Sequence, residues 1–469
     1  MRPAYDLVVV SNRLPVDYQP GAADSEQWRP SPGGLVTALE PVLRERGGVW
    51  VGWPGVADLE VGPFEIDGMP LIPVPLSEQD VERYYEGMAN GTLWPLYHDV
   101  IVSPEYHRQW WEAYLEVNRR FAEAALAVAA PGATVWVHDY QLQLVPRMLR
   151  DARPDLVIGF FNHIPFPAHG LFSQLPWRRQ IVEGLLGADV VGFQRTADAS
   201  NFRRAVQRLT HLRIRGDLIE LPQEGREVLA RPFPISIDAG AYQELAKRPD
   251  IWARAKEIRR ELGDPKVVLL GVDRLDYTKG ILHRLKAFGE LLEDGDLDVA
   301  DVALVQIAAP SRERVESYKH LREEVEMMVS RVNGDFSSLG RPPITYLHQG
   351  YPRDEMVAFY LAADVMLVTA LRDGMNLVAK EYVASRVDLH GALVLSEFAG
   401  ASDELRQAVL VNPHDIDGLK AGILQAARMP PGEQARRMKA MRRRVISHDV
   451  QRWSATFLGA LSGENRGDG

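Results

Sequence analysis

Short apolar runs rich in β-branched residues recur along the chain, and helically spaced segments separate them. Such runs occupy residues 7–10 and 156–161 in the first half, and 266–272 and 364–368 in the second half. Short apolar runs of this kind are typical of strands buried on both faces of a parallel sheet. Strands that alternate with helices predict an α/β fold in which each sheet is parallel and doubly wound.

The length of 469 residues exceeds what one hydrophobic core usually holds. We therefore expect two Rossmann-like domains, an N-terminal domain over residues 1–236 and a C-terminal domain over 237–449. The proline-rich segment 232–238 is the predicted crossover between them. A last helix over about 450–469 is a candidate for packing back on the first domain.

The segment between the predicted strand 364–368 and the next helix is the richest in candidate chemistry. Asp373-Gly374 is a turn dipeptide and Asn376 suits a helix N-cap. Such a junction directs free backbone N–H groups and the positive end of a helix at one point, which suits a phosphate. Glu381, one turn into the helix, is placed to accept hydrogen bonds from both hydroxyls of a ribose. Together these residues predict a nucleotide-sugar site, although Asp-Gly alone is typical of an ordinary surface turn.

Two other strand-to-helix connections carry residues that suit a phosphate. Arg274 and Lys279 follow the strand 266–272, where they would neutralise a pyrophosphate or form a solvated charged turn. Gly33-Gly34 opens a helix through about residue 43, where the backbone could approach a phosphate closely. A glycine pair alone is weak support, because many helices begin this way.

Polar residues also follow three strands of the first half: Arg13, His138-Asp139 and His163. The carboxyl ends of parallel strands form the ligand-binding edge of such sheets. A histidine in this position is more often structural than catalytic, but two such strand ends in succession favour a functional edge.

An aromatic cluster occupies residues 84–85 and 93–98. Clusters of this kind usually belong to the core. The alternative is a platform for a sugar, whose C–H groups pack on aromatic ring faces.

Composition excludes several classes of protein. A net charge of −10 does not suit a nucleic-acid binder, and the chain has no cysteine for disulfides or thiolate chemistry. Apolar runs are too short for a membrane span, so a cytoplasmic enzyme is the expectation. The Asp-x-Asp patterns within 294–298 follow a helix rather than a strand, so we expect no metal there. The basic run 436–444 is interpreted as a solvated helix face.

The sequence resembles the trehalose-6-phosphate synthase family, retaining glucosyltransferases of the two-domain GT-B type classified in family 20. The resemblance runs from Ser11 to Glu404 and rests on segments 33–35, 94–95, 137–140, 162–167, 274–280 and 371–381. It implies two doubly wound domains that face each other across a deep cleft, the N-terminal one binding the acceptor and the C-terminal one the nucleotide sugar. The implied reaction moves glucose from a nucleotide-glucose, such as UDP-glucose, to glucose 6-phosphate, giving α,α-trehalose 6-phosphate without a metal or other cofactor.

The resemblance implies three groups of site residues, all expected at strand ends or in strand-to-helix loops. The implied catalytic residues are His163, Asp373, Arg274 and Lys279. The implied donor residues are Gly33, Gly34, Arg274, Lys279, Tyr351, Asp373, Gly374, Met375, Asn376, Leu377, Val378 and Glu381. The implied acceptor residues are Arg13, Tyr85, Trp94, Asp139 and Arg312, with both arginines on the phosphate of the acceptor.

The family also implies front-face attack, in which the leaving diphosphate accepts the proton of the acceptor. Two alternatives stay open: a synthase that uses another phosphorylated acceptor, such as a glycerol or cyclitol phosphate, and a catalytically silent sugar-phosphate sensor. The sequence does not distinguish UDP, ADP and GDP donors, and homo-oligomerisation is left open. No nucleic-acid or membrane partner is expected.

Overall fold

The computed structural model describes residues 4–19, 28–31, 34–338 and 340–463. The chain forms two compact units. The first combines Met1–Ile235 with Gln451–Gly469, and the second is Ser236–Val450.

The first unit is built on a ten-stranded sheet in the order β10-β11-β12-β9-β8-β7-β1-β4-β6-β5, beside a separate β2–β3 pair. The seven strands from β12 to β6 in this order are parallel, and antiparallel strands lie at both edges. The strands are β1 (Tyr5–Arg13), β2 (Val16–Tyr18), β3 (Trp28–Pro30), β4 (Val49–Trp53), β5 (Phe64–Ile66), β6 (Met69–Pro73), β7 (Ala129–His138), β8 (Val157–Phe161), β9 (Val190–Phe193), β10 (Ile214–Arg215), β11 (Leu218–Leu221) and β12 (Arg226–Pro232).

The helices of this unit cover and connect the parallel strands. They are α1 (Gly34–Arg46), α2 (Glu78–Asp80), α3 (Trp94–Tyr97), α4 (Arg108–Leu126), α5 (Val145–Ala152), α6 (His169–Phe172), α7 (Arg178–Leu185) and α8 (Thr196–Thr210). A helical segment with wide, π-type turns, Val81–Leu93, joins α2 to α3.

The second unit contains a wholly parallel six-stranded sheet in the order β15-β14-β13-β16-β17-β18. Its strands are β13 (Val267–Arg274), β14 (Val302–Ala309), β15 (Ile344–Leu347), β16 (Val365–Val368), β17 (Ala392–Ser396) and β18 (Val409–Val411). Its helices are α9 (Ala239–Lys247), α10 (Pro249–Glu261), α11 (Ile281–Glu293), α12 (Glu316–Phe336), α13 (Arg353–Ala362), α14 (Leu377–Ser385), α15 (Ile416–Ala427) and α16 (Pro431–Ser447).

Apolar side chains between this sheet and its helices form the core of the second unit. Leu269, Leu304, Leu367 and Val394, from four neighbouring strands, are fully buried in one cluster with Phe288 of α11. Burying one side chain of this size contributes about 1.5–3 kcal/mol. The apolar runs therefore stabilise the strands whose ends carry the site.

The last helix, α17 (Val450–Leu461), packs on the sheet of the first unit. The ring of Phe457 stacks on Trp136 of β7 with a centroid distance of 4.6 Å. A Cβ atom at Gly159 of β8 would lie 2.8 Å from both Phe457 and Leu461, so glycine there permits the close packing of the helix.

Each sheet has one point where the strand order reverses. In the first unit, β1 lies between β4 on one side and β7 on the other, and in the second unit β13 lies between β14 and β16. Loops that leave two neighbouring strands in opposite directions open a crevice at the carboxyl edge of the sheet, where α/β proteins bind ligands.

The predicted α/β fold with doubly wound parallel sheets is confirmed, but three details differ. The sequence pattern over about 244–261 predicts a single helix, but the structure has two. Arg248 precedes Pro249 and is forced into an extended conformation with ψ 132°. The sequence analysis did not predict strands β4, β6, β9 and β12 or the edge strands β5, β10, β11 and β18. The basic run 436–444 is not simply solvated, because Arg442 is buried and donates a hydrogen bond to the carbonyl of Val383 near the end of α14.

Among the described residues, the helices are all too short or too polar to cross a lipid bilayer.

Candidate active site

In the second unit, the loop after β13 and the loop after β16 lie against each other. The amide of Leu371 donates to the carbonyl of Thr278 at 2.7 Å. Gly280 is the N-cap of α11 with a φ of +63°, and a Cβ atom there would lie 2.1 Å from the carbonyl oxygen of Thr369. Only glycine meets both requirements, because it tolerates positive φ and has no Cβ. The loops after β13 and β16, which carry residues expected to bind a phosphate, therefore form one continuous surface.

This surface brings the predicted catalytic residues Lys279 and Asp373 together. The ammonium nitrogen of Lys279 lies 2.6 Å from Oδ2 of Asp373, and their side chains are only 11% and 14% exposed. The side-chain amide of Asn376 donates to the same oxygen at 3.2 Å. Arg274, the last residue of β13, is exposed on the same pair of loops. The cation expected for a pyrophosphate is therefore held in place by a carboxylate.

Helix α14 begins as the sequence predicts. Asn376 is its N-cap and accepts a hydrogen bond from the amide of Ala379 at 3.1 Å, with a φ of +74°. The amides of Leu377 and Val378 belong to the first turn, where N–H groups lack acceptors within the helix. They form an N-terminal site that suits an anionic oxygen.

The turn before this helix is supported from the loop after β17. The amide of Ala401 donates to the carbonyl of Met375 at 2.8 Å. A Cβ atom at Gly400 would lie 1.9 Å from the carbonyl oxygen of Gly374. The predicted donor residues Gly374 and Met375 are therefore locked by backbone packing rather than by their side chains.

A buried carboxylate, Asp276, organises the loop between Arg274 and Lys279. Its Oδ1 accepts from the amide and the hydroxyl of Thr278, and its Oδ2 accepts from Nη1 of Arg312 at 2.8 Å. Burial raises the pKa of Asp276, but the charges of Arg312, Lys279 and Arg274 more than offset it, so the pKa falls to about 2. Asp276 is therefore ionised at neutral pH, and it holds Arg312 in place.

Arg312 was expected to contact the phosphate of the acceptor. In the structure its guanidinium is nearly buried against Asp276 and the hydroxyl of Tyr318, and its φ is +48°. The role of Arg312 in binding the acceptor stays a prediction.

Glu381 lies within α14, and two tyrosines hold its carboxylate. The hydroxyl of Tyr360 donates to Oε2 of Glu381 at 2.7 Å, and Tyr242 forms a second side-chain hydrogen bond. Burial raises the pKa of Glu381, and the tyrosine hydrogen bonds and Arg353 only partly oppose this. The sequence gives no local signal for Tyr242 or Tyr360, which come from α9 and α13.

The remaining predicted donor residues lie at the edge of this arrangement. Tyr351 follows the edge strand β15, and its ring meets Phe359 edge-on at 5.2 Å. Gly34 is the first residue of α1, whereas Gly33 lies outside the described residues.

In the first unit, Arg13 is the last residue of β1 and lies beside an aromatic ring. Its guanidinium lies 5.2 Å from the ring centroid of Trp53 and 2.9 Å from a carboxylate oxygen of Asp17, and its side chain is 43% exposed. The ring of Tyr85 lies 5.7 Å from Trp53. Trp53, at the end of β4, was missed in the sequence. Its position beside Arg13 comes from the pairing of β1 with β4, so the available signal was its place at the end of the apolar run 49–53.

Asp139 and His163 follow the neighbouring strands β7 and β8. Asp139 has a φ of +74°, and its Oδ1 accepts from the backbone amides of Tyr140 and His163 at 3.0 and 3.1 Å. One carboxylate oxygen thus fixes the backbone of both polar strand ends.

The imidazole of His163 meets that of His138, the last residue of β7. Nδ1 of His138 lies 3.1 Å from Nε2 of His163. Burial lowers the pKa of His163 to about 3, and burial together with His163 lowers the pKa of His138 well below its usual value. Both rings are therefore neutral at physiological pH.

The aromatic cluster is mainly core. Tyr84, Tyr97 and His98 are at most 1% exposed, and Trp94 is 4% exposed against the ring of Tyr140. Tyr85 is half-buried. The expectation that all site residues lie at strand ends or in strand-to-helix loops is wrong for six of them. Tyr85 lies in the segment Val81–Leu93, and Trp94 begins α3. Gly34 begins α1, and Leu377, Val378 and Glu381 lie in α14.

Across the described part of the chain, no three His, Asp or Glu side chains gather in a way that could hold a metal ion. What the two edges offer instead is fixed cations and a helix N-terminus in the second unit, and an arginine, a carboxylate and neutral imidazoles in the first. Cations and N–H groups stabilise a developing phosphate charge, while carboxylates and imidazoles bind hydroxyls.

Comparisons with known proteins agree with this chemistry. A sequence model described as glycosyltransferase family 20 matches residues 5–463. A trehalose-6-phosphate synthase of Mycolicibacterium gilvum is 58% identical, covering 97% of this chain and 93% of that protein.

Solved structures give the same picture. A UDP-forming α,α-trehalose-phosphate synthase of Burkholderia vietnamiensis superposes with a TM-score of 0.89 at 35% identity, covering 98% of both chains. A UDP-forming synthase of Burkholderia xenovorans, in complex with glucose 6-phosphate, superposes with a TM-score of 0.88 at 34% identity, covering 97% of this chain and 100% of that chain.

Proposed function

The chain belongs to glycosyltransferase family 20, and from that premise we propose that it transfers glucose from UDP-glucose to glucose 6-phosphate. The products are α,α-trehalose 6-phosphate and UDP. The observation that carries the proposal is the ion pair of Lys279 with Asp373, which lies beside the N-terminus of α14 at the switch point of the second unit. The relatives' names supply the two substrates, since they describe UDP-forming synthases and a complex with glucose 6-phosphate.

The second unit suits the nucleotide sugar. We assign the diphosphate to Lys279, Arg274 and the amides of Leu377 and Val378, because a doubly charged group needs both cations and N–H donors. Glu381 would accept hydrogen bonds from the ribose, with its carboxylate oriented by the tyrosines described above. Asp373 would accept hydrogen bonds from hydroxyls of the glucose. Gly33, Gly34, Gly374, Met375, Asn376 and Tyr351 complete the proposed donor group.

The first unit suits the sugar phosphate. Arg13 is the exposed cation at its switch point, and an exposed ion pair such as that with Asp17 contributes little, so an anion can compete for the guanidinium. Asp139 would accept from sugar hydroxyls, and Tyr85 and Trp94 offer aromatic surface. Arg312, in the second unit, completes the proposed acceptor group.

The proposed mechanism needs no protein nucleophile. The bond between the anomeric carbon of the donor glucose and the diphosphate oxygen breaks. A new bond forms from the same face to the anomeric oxygen of glucose 6-phosphate, and the hydroxyl proton moves to the departing diphosphate. Lys279 and Arg274 would stabilise the negative charge that builds on the diphosphate, and His163 and Asp373 would orient the glucose.

The test is product identification by proton NMR after incubation with UDP-glucose and glucose 6-phosphate. The expected product shows two α anomeric signals, and one UDP is released for each disaccharide. A panel with ADP-glucose, GDP-glucose, glycerol phosphate and a cyclitol phosphate tests donor and acceptor choice. Faster turnover with another acceptor would refute the acceptor assignment, and no transfer with any pair would indicate a sensor rather than an enzyme.

A further inference from the structure

We propose that His138 is a positioning residue, which holds neutral His163 in the tautomer that carries its proton on Nδ1 and so makes that nitrogen the hydrogen-bond donor toward a hydroxyl of the transferred glucose. The contact with glucose rests on the proposed function. The pairing of the two imidazoles does not, because it is a property of the free protein.

The two imidazoles are close enough to share a hydrogen bond. Nδ1 of His138 and Nε2 of His163 are 3.1 Å apart, which is a hydrogen-bond distance, so one nitrogen carries the proton and the other accepts it. A neutral imidazole has one N–H and one bare nitrogen. Fixing the role of one ring in this bond therefore fixes the tautomer of both.

The burial of Nε2 of His138 indicates which of the two rings donates the hydrogen bond. Nε2 of His138 is fully buried and has no hydrogen-bond partner. If His163 donated, His138 would carry its own proton on that buried nitrogen, as an unpaired N–H. If His138 donates, the same position holds only an unpaired acceptor, and buried acceptors are left unsatisfied more often than buried N–H groups. His138 is therefore the donor, and His163 carries its proton on Nδ1.

The surroundings of the two histidines are apolar. Phe161 lies 4.6 Å from the ring of His163, Trp136 lies 4.8 Å from the ring of His138, and Trp453 of α17 packs 6.3 Å from His163. A low-polarity wall disfavours a charged imidazolium, and it strengthens the hydrogen bond between two neutral rings. The two imidazoles therefore keep their hydrogen bond as neutral rings, and neither has to become protonated.

The backbone of His163 is also fixed. His163 is also held by its amide, which donates to Asp139 at 3.1 Å. With the backbone fixed by Asp139 and the ring by His138, the orientation of His163 is set before a ligand arrives, which is the condition for a positioned donor.

The direct test is nitrogen NMR of the free protein labelled with 15N-histidine at pH 7.5, with the signals assigned from His138→Asn and His163→Asn. The expected spectrum shows both rings neutral and protonated on Nδ1. Protonation of His163 on Nε2 would overturn the proposal, whatever the activity.

The functional test compares two substitutions of the same residue. His138→Leu removes the donor, whereas His138→Asn keeps an N–H near the position of Nδ1. We expect kcat to fall roughly tenfold or more in the leucine variant, with the KM for UDP-glucose changed less, and to recover most of this loss in the asparagine variant. His320→Leu, on the exposed face of α12, is the control and should leave kcat unchanged.

Equal losses in the leucine and asparagine variants, with both folded, would show a packing role and overturn the proposal. A wild-type protein with the expected tautomer but no glucosyl transfer would contradict the proposed function instead, while supporting the histidine pair.

Discussion

At the switch point of the first unit a pair of neutral histidines follows β7 and β8, whereas at that of the second unit an ion pair joins Lys279 and Asp373. The two sheets reach this point by the same topology, since in each the first strand lies between strands wound in opposite directions. The difference therefore comes from the residues at the strand ends and not from the fold.

The contrast explains how one topology can serve two ligands. Desolvation of His138 and His163 lowers their pKa values and keeps both imidazoles of the first edge uncharged. In the second unit, buried Asp276 stays ionised because cations surround it. A neutral edge suits sugar hydroxyls, and a charged edge suits a diphosphate.

The largest effect is expected when a cation is removed from the charged edge of the second unit. Lys279→Met removes the cation assigned to the departing diphosphate, so kcat should fall by about 10²–10³-fold. Steady-state assays of UDP release measure this. Lys266→Met is the control, because that lysine pairs with Asp301 on the surface and is 76% exposed. A change in KM alone at Lys279 would contradict the assigned role.

A second substitution tests the cation of the first unit that is assigned to the phosphate of the acceptor. Arg13→Ala should raise the KM for glucose 6-phosphate by roughly ten- to a hundredfold, because a charge-assisted contact to phosphate is lost. The matched control is Arg44→Ala, whose side chain has the same exposure and a similar carboxylate partner, Glu40. Equal KM values for the two variants would remove Arg13 from the acceptor site.

The contact between the two loops of the second unit can be tested through stability. Gly280→Ala combines a positive φ with a clash against the carbonyl of Thr369, whereas Gly295→Ala has a φ of +74° and open space. Positive φ alone costs about 1 kcal/mol for alanine, and the clash should add about 1–3 kcal/mol. Urea unfolding measures both variants, and equal losses would show that the loops are free to separate.

The smallest effect concerns pH and stability. A buried neutral histidine binds its proton more weakly in the folded than in the unfolded state. The stability it contributes is therefore complete above about pH 6.5 and is lost as the pH falls toward the folded pKa, which for His163 is about 3. Asp276, with a pKa of about 2, loses its contribution only below about pH 4.

Urea unfolding of wild type and His138→Leu between pH 7 and 5 checks this difference. The wild type should lose more stability than the variant over this range, because each such histidine contributes up to about 1.4 kcal/mol per pH unit well below 6.5. Parallel curves for the two proteins would contradict the assignment of a neutral, buried His138.

The features that the sequence predicted well are those whose signals are local in the chain. The N-cap Asn376 and the strand-to-helix loops were recognised because their signals lie within a few residues. The partners of Asp276, Glu381 and His163 come from distant parts of the chain, so no local pattern reveals them. The break at Pro249 was missed although its signal was present.

The most direct test of the account is calorimetric binding of UDP and of glucose 6-phosphate to the wild type, Lys279→Met and Arg13→Ala. We predict that Lys279→Met weakens UDP at least tenfold and leaves glucose 6-phosphate unchanged, and that Arg13→Ala does the reverse. If both substitutions weakened the same ligand, or if neither changed either affinity, the assignment of the donor to the edge with Lys279 and of the acceptor to the edge with Arg13 would be wrong.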